Sequence, residues 1–433
     1  MLVRVAAVLC SVAIAGCYSP SVAPCIYTCA GEACPSGLTC NADIHMCVEN
    51  VGDSCNGPRD DSGTDDDAGV DAALRPDATS CGWPGLSNVD PCAIGADMTA
   101  DVWVASGIVN TDARTGFPAS VHPMDVTMPG GRIALAVPLD AFAVKPQESL
   151  LIIGEKPLII VARTTATIAG TITVTGTITT VCPGVLSGMT YVGAGASGGG
   201  GGGGYGARGG PGGTGNTDAA MMDEPAGAGG TAGTSVGADE IIPLRGGCPG
   251  GKGGDAGTLL GGLGGAGGGA IQISSKGMIS VGTAIIANGA GGFSITADHV
   301  GGGGGGAGGA ILLDAPVVSF GVGAMLCANG GGGGAANSGK NGTTAVACES
   351  ATGGAGITAD FPDNGAGGRG GFGSTMLQRA GDKGNSPESV RSPGYGGGGG
   401  GGGAGRIRLN VTSTMGSTAP SSPAISFGTL PSP

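Results

Sequence analysis

Aromatic side chains are scarce: 433 residues carry 7 Phe, 5 Tyr and 2 Trp, so the large rings that dominate core energetics are nearly missing. Charge is thin as well. At 12% it falls well below the usual quarter of a soluble domain, and this composition disfavours a conventional globular enzyme. The 19 Lys and Arg are outnumbered by 32 Asp and Glu, leaving a net charge of -13 and no basic clustering of the kind phosphate backbones require, so nucleic acid is excluded as a partner. Only three histidines, His45, His122 and His299, are available for ligation or proton transfer. Beyond the first fifteen residues no apolar run reaches the length of a membrane span.

What the chain has instead is glycine, 98 residues of it, and 14 cysteines. Arg4 followed by the apolar stretch Val5 to Ala15 reads as an export leader too short to cross a bilayer stably. Small residues then lead to a cysteine, Ile14-Ala15-Gly16-Cys17. This tetrapeptide resembles the lipobox of bacterial lipoproteins. The resemblance implies residues 1-16 as signal peptide, Cys17 as the lipidated mature N-terminus, and the membrane as a partner through that lipid. Several acyl chains, at about 0.8 kcal/mol per buried methylene, hold more firmly than one.

With Cys10 in the leader and Cys17 carrying lipid, twelve cysteines remain in even groups: Cys25, Cys29, Cys34, Cys40, Cys47 and Cys55; Cys81 and Cys92; Cys182, Cys248, Cys327 and Cys348. In an exported protein this predicts disulfides, with connectivity left open. Residues 17-55 form a cysteine-rich module in which bridges replace a core, and its Cys34-Pro-Ser-Gly-Leu-Thr-Cys40 fragment resembles short growth-factor-like knots. Zinc is disfavoured, since no Cys-x-x-Cys pair occurs and only His45 lies nearby. No metal and no cofactor is expected. Residues 56-80, rich in Asp, Ala and Gly, read as a disordered tether whose like charges extend it.

Residues 81-433 read as an all-β domain. Strands are expected at Asp101 to Val109, Val121 to Met128, Arg132 to Val137, Leu150 to Ile153 and Leu158 to Ala162, with the clearest alternation at Thr167 to Thr179. There Ile168, Ile172, Val174 and Ile178 share one face and threonines the other. Ala270-Ile271-Gln272-Ile273 recurs as Ala310-Ile311-Leu312-Leu313, offset by 40, and as Arg406-Ile407-Arg408-Leu409, each after a glycine run. In the first rib Ile271, Ile273, Ile279, Val281, Ile285 and Ala287 keep one parity. In the second, Phe320, Val322, Leu326 and Ala328 match the last four at offset 41, as if one residue were added near Pro316. Both ribs end in Ala-Asn-Gly, expected as tight turns with positive φ. Repeated ribs that bury their apolar side only by stacking predict a parallel β-helix, or solenoid, with glycine-rich inserts at about 193-268, 289-308 and 330-404. The alternative is a β-sandwich. Glycine costs more backbone entropy to order than any other residue, so the inserts are either mobile or packed as extended polyglycine.

The order of lipobox, cysteine module, Asp-rich tether, strands ending in Pro157-Leu158-Ile159-Ile160-Val161-Ala162, and Gly-Gly-Ala-Ile ribs resembles glycine-rich envelope lipoproteins of gliding soil bacteria. The resemblance implies a location at the outer membrane, exposed on the surface, and carries no defined activity. Tyr18 after the lipidated cysteine is not the Asp that retains lipoproteins at an inner membrane.

Glycine at this density manufactures motifs. Gly195-Ala196-Ser197-Gly198-Gly199 fits a nucleophile elbow without the strand, helix and histidine the chemistry needs. Gly334 to Lys340 resembles a phosphate loop, yet Asn341 stands where Ser or Thr should hold magnesium. Gly250 to Asp255 resembles a single calcium-binding β-roll repeat, which works only in tandem. The Thr-x-Thr runs at 171-173 and 177-179 resemble ice-binding arrays, but one rung is not an array. Arg406 and Arg408 project opposite Ile407 and Leu409, to solubilise the last rung or to engage an anionic sugar. The composition points to a non-catalytic, lipid-anchored envelope protein with a structural, adhesive or matrix-contact role, its partners extracellular polysaccharide or envelope proteins. The alternative is carbohydrate binding or polysaccharide processing by a β-helix, for which clustered carboxylates are needed; Asp314 is the lone carboxylate of the central ribs.

Overall fold

The structure is a computed structural model. It describes residues 39-41, 46-48, 82-83, 85-96, 99-178, 188, 196-216, 226-297, 299-337, 339-346, 348-355, 380-387, 396-416 and 419-430. The chain divides into two units, Met1–Leu74 and Arg75–Pro433. In the first, β1 (Thr39–Asn41) and β2 (Met46–Val48) pair antiparallel, with Cys40 opposite Cys47.

The second unit is all-β, with no α-helix among its described residues. Its strands are β3 (Val102–Val104), β4 (Gly107–Asn110), β5 (Met124–Thr127), β6 (Ile133–Val144), β7 (Ser149–Ile153), β8 (Leu158–Ile168), β9 (Thr171–Thr175), β10 (Ala270–Ser275), β11 (Met278–Val281), β12 (Ala284–Ile286), β13 (Ala310–Phe320), β14 (Met325–Cys327), β15 (Arg406–Gly416), β16 (Ser421–Ser422) and β17 (Ser426–Gly428). They build two parallel sheets, a nine-stranded one in the order β17-β15-β13-β10-β8-β6-β3 and a six-stranded one in the order β16-β14-β12-β9-β7-β4. In the larger sheet β11 also lies between β8 and β13, and β5 adds antiparallel to β6. From β6 onward the chain passes from one sheet to the other and back.

Register shows why these residues stack. Leu135, Leu158, Ile271, Ile311 and Ile407 face one another in one row, and Val137, Ile160, Ile273, Leu313 and Leu409 in the next. Opposite them the smaller sheet aligns Leu150, Ile172, Ile285 and Leu326. All are buried in one continuous core, and each such side chain contributes roughly 1.5–3 kcal/mol by leaving water. The larger sheet is covered on its other face too, by a second cluster that includes Trp83, Ile94, Tyr205, Ile241 and Leu244. Double coverage explains why Leu158–Ile168 opens on an unbroken buried run. The smaller sheet is more open outside, so Thr171–Thr175 alternates buried with half-buried residues.

Several expected details change. The Asp101 to Val109 segment is two strands in different sheets, and Thr167 to Thr179 is also broken: the chain turns at Ala169 and Gly170 from β8 into β9, and Ile178 is exposed. A methyl on Gly170 would strike the carbonyls of Lys145 and Glu148, so the corner needs glycine. The second rib is shifted differently from expectation. Ile279 pairs with Val318 and Val281 with Phe320, while Ile285 pairs with Leu326. The second rib therefore omits a residue where β10 gives way to β11, runs through Pro316 without a pairing there, and adds two at the corner before β14. Val322 sits on that corner, fully exposed, rather than in the core. The Asn288-Gly289 and Asn329-Gly330 steps lack positive φ; they are where strands run on into glycine segments.

Those glycine segments are packed. Segment 301-309 lies at the centre of the described bundle. Gly301, Gly304 and Ala307 donate their amides to 246-254, Gly302, Gly305 and Gly308 to 396-405, and Gly303, Gly306 and Gly309 to 287-293. Carbonyls of the same segment accept from 196-204, 261-269 and 328-334. Each successive amide thus turns by a third of a revolution, the three-residue repeat of a polyproline II helix, which has no internal hydrogen bonds and must find partners sideways. Six neighbours supply them. A side chain is forbidden here, since a methyl on Gly304 would run into the carbonyl of Gly201. Segments 261-269, 301-309 and 396-405 lead directly into β10, β13 and β15, so the bundle continues the larger sheet.

Candidate functional site

The polar residues that the fold gathers lie on the outer face of the larger sheet. Strand register places Ser274, Asp314 and Asn410 in one outward column and Gln272, Leu312 and Arg408 in the next. Over this face runs the strap 85-96, which brings Ser87 and Asn88. Asp314 is fully buried. Its Oδ1 accepts from Asn410 Nδ2 at 2.9 Å and Ser87 Oγ at 3.4 Å, and its Oδ2 from Gln272 Nε2 at 3.0 Å and the Ser87 amide at 3.3 Å. Burial pushes the Asp314 carboxyl up to about 6, against the opposing pull of Asn410, Ser87 and the Arg408 charge.

Around it the network closes. Asn410 Nδ2 also donates to Ser87 Oγ at 2.8 Å, and Arg408 Nε donates to Asn410 Oδ1 at 2.9 Å. Asn88 Nδ2 donates to Gln272 Oε1 at 2.9 Å and to the Ile241 carbonyl at 3.1 Å, while its Oδ1 accepts from the Leu244 amide at 2.9 Å. A carboxylate held by donors on three elements and sealed from water fastens the strap; it has no opening through which to act as a general acid or base.

A second cluster lies where the bundle meets β15. Tyr205 is buried, with the Arg245 and Arg406 guanidiniums 5.9 and 5.7 Å from its ring centre. Desolvation raises its phenol to about 12 even beside those cations. Arg406 pairs with Asp239 and donates to the Gly237 carbonyl at 3.0 Å. Arg406 and Arg408 do project opposite Ile407 and Leu409, but both are engaged within the chain, and β17 follows as a further strand. Arg406 is thereby committed to a carboxylate of the chain itself, while Arg408 is held through its Nε by Asn410.

The other expected motifs serve the scaffold. Ser197 is buried in a glycine segment, its Oγ bonded to the Asp255 carbonyl, far from an elbow geometry. Asn341 accepts from the Ser294 amide at 2.8 Å. Asp255 pairs with Lys252 and accepts from the Gly261 amide. Thr173 stands between Leu151 and Ile286, so no threonine array crosses the rungs. Among the described residues no group of three His, Cys, Asp or Glu is placed to hold a metal.

Cys327 and Cys348 form a disulfide with Cα atoms 4.9 Å apart; Cys92 is disulfide-bonded, and so, separately, is Cys248. Cys17, Cys25, Cys29, Cys34, Cys55, Cys81 and Cys182 lie outside the described residues. Sequence reasoning passed over Ser87, Asn88 and Tyr205, and read Asn288 and Asn329 only as turn residues, whereas the Asn329 amide donates to Asn288 Oδ1 at 2.7 Å and Ser422 Oγ to Asn329 Oδ1 at 2.6 Å. The recurrence of polar residues at 274, 314 and 410, one per rib, was the available signal for the Asp314 column.

No protein-family model, curated protein or solved structure matches this chain.

Proposed function

We propose that this chain is a non-catalytic, lipid-anchored cell-envelope protein of the outer membrane whose β-body is a parallel solenoid stiffened by a polyglycine bundle. The observation that carries the reading is segment 301-309. Its amides and carbonyls are taken up by six neighbouring segments, so the glycine runs act as building material. The passage of successive parallel strands between two sheets, with ribs in register, supports a solenoid over the sandwich. Sealing of Asp314 and burial of Ser197 favour a structural or adhesive role over polysaccharide turnover. Lipid anchorage rests on the leader and on Cys17 alone.

Acyl labelling of the full chain and of Cys17→Ala in a bacterial host tests the anchor. Label on the parent and its loss from the variant, with release from the membrane fraction, is expected; membrane residence without label sinks it. Protease shaving of intact cells against a periplasmic control then tests surface exposure. The non-catalytic reading fails if the purified chain turns over a uronic-acid polymer.

A further inference from the structure

One edge of the larger sheet is unfinished. β5 pairs with β6 alone. The Met128 amide donates to the Arg132 carbonyl at 2.8 Å, so in this antiparallel ladder Met124 and Val126 turn their backbone groups toward β6, and Asp125 and Thr127 turn theirs away. Among the described residues no strand meets the amides and carbonyls of Asp125 and Thr127.

That bare edge borders a groove of about 770 Å³ between β5 and the strap. Residues 124-129 of both parities line it, as they would along a strand's edge rather than over one of its faces. The opposite wall is the strap, with Leu86, Val89 and Ile94. Leu86, Val89, Met124 and Val126 are partly buried and pack on the second apolar cluster, so the groove floor is an uncovered margin of that core. The rim carboxylate of Asp125 is already paired with Arg114 and Lys156, which leaves backbone hydrogen bonding and apolar contact as the recognition chemistry.

We propose that this groove binds an extended peptide segment of another protein, one with apolar side chains at alternate positions, which adds as a strand to the free edge of β5. Main-chain hydrogen bonds to Asp125 and Thr127 fix its register. Its apolar side chains complete the floor beside Leu86, Val89 and Val126, and the intervening ones face solvent. Unpaired donors and acceptors select a strand over a helix or a globular apolar ligand, because only an extended backbone satisfies them in sequence.

The test is fluorescence anisotropy with the full chain and a labelled peptide Lys-Val-Thr-Val-Thr-Val-Lys. Saturable binding is expected. N-methylation of the two peptide amides that face β5 should weaken it at least about tenfold, the loss expected when two main-chain bonds go. Thr127→Pro, which deletes an outward amide at an edge where proline is tolerated, should weaken it similarly, and Val89→Asp should abolish it. Equal binding of the N-methylated peptide overturns strand addition without reliance on any variant's folding. Absence of saturable binding to the full chain, or its emergence only when residues 56-80 are deleted, overturns the assignment to a foreign segment.

Discussion

The side-chain amide of Asn410 donates to the Asp314 carboxylate at 2.9 Å from the adjacent strand of the same sheet, directly in register with it. Ser87 of the strap touches both residues. With Gln272 of the strand on its other side also donating to it, one carboxylate ties three ribs and the covering segment together.

Because burial raises the folded Asp314 carboxyl from 3.8 to about 6, the folded state binds a proton that the unfolded state has released across that interval. Stability from this group is fullest below about pH 4, falls as pH rises to 6 and is flat above. The two plateaus differ by roughly 3 kcal/mol, since each tenfold change in proton affinity is worth about 1.4 kcal/mol. Asp314→Asn should remove this slope, so that the variant's melting temperature measured against the parent's is more favourable near pH 7.5 than at pH 4.5, on top of a pH-independent loss because the groups facing this side chain all donate to it. Thermal melts at the two values check it; a parent more stable at 7.5 than at 4.5 with the slope unchanged in the variant contradicts it.

The bundle makes a sharper claim about glycine. A methyl at Gly304 would meet the Gly201 carbonyl, and one at Gly399 the Gly303 carbonyl, both backbone atoms that cannot rotate aside. Gly282 has only ordinary contacts, the nearest atom 3.5 Å from an added methyl. Gly304→Ala and Gly399→Ala should each cost about 3 kcal/mol or more, at the upper end of overpacking penalties. Gly282→Ala should stay within about 1 kcal/mol of the parent. Denaturant titration distinguishes these outcomes, and equal tolerance at all three positions is incompatible with a packed bundle.

The inward rows were legible because Ile and Leu recur at offset 40 with strand parity, so Ile271, Ile311 and Ile407 announce one another. Corner geometry was not. Val322 fits the parity of a core residue, yet two additional residues at that corner carry it into solvent. The glycine segments were least legible. Their period of three lives in backbone donors and acceptors, and a run of identical residues without side chains writes no pattern of that period into the sequence. The strap was obscured for another reason: Ser87 and Asn88 reach Asp314 and Gln272 across more than 180 intervening residues, and no local pattern marks such a contact.

The Cys327–Cys348 bridge closes a loop of sequence separation 21 that contains the glycine segment from Gly330 to Gly334. Chain-entropy reasoning assigns a loop of that size about 3 kcal/mol. The double variant Cys327→Ala, Cys348→Ala should lower stability by that order, and amide exchange should rise first at 330-334. Hydrogen exchange resolved by segment is the readout. Uniform protection in the variant would mean that the neighbouring glycine segments hold this one without help from the disulfide.

Tyr205 offers a spectroscopic handle on the junction between bundle and sheet. The chain has five tyrosines, and this one, buried between Arg245 and Arg406, has its phenol pushed up to about 12 by desolvation, which outweighs the stabilising pull of the cations on the phenolate. Ultraviolet difference titration should therefore show a tyrosine step at about pH 12, and Tyr205→Phe should delete that step. Arg406→Leu removes a cation that favours the phenolate, so the late step should move further up while the chain stays folded. If it moved down instead, burial would not be what holds the proton on Tyr205, and the junction would have to be open to water.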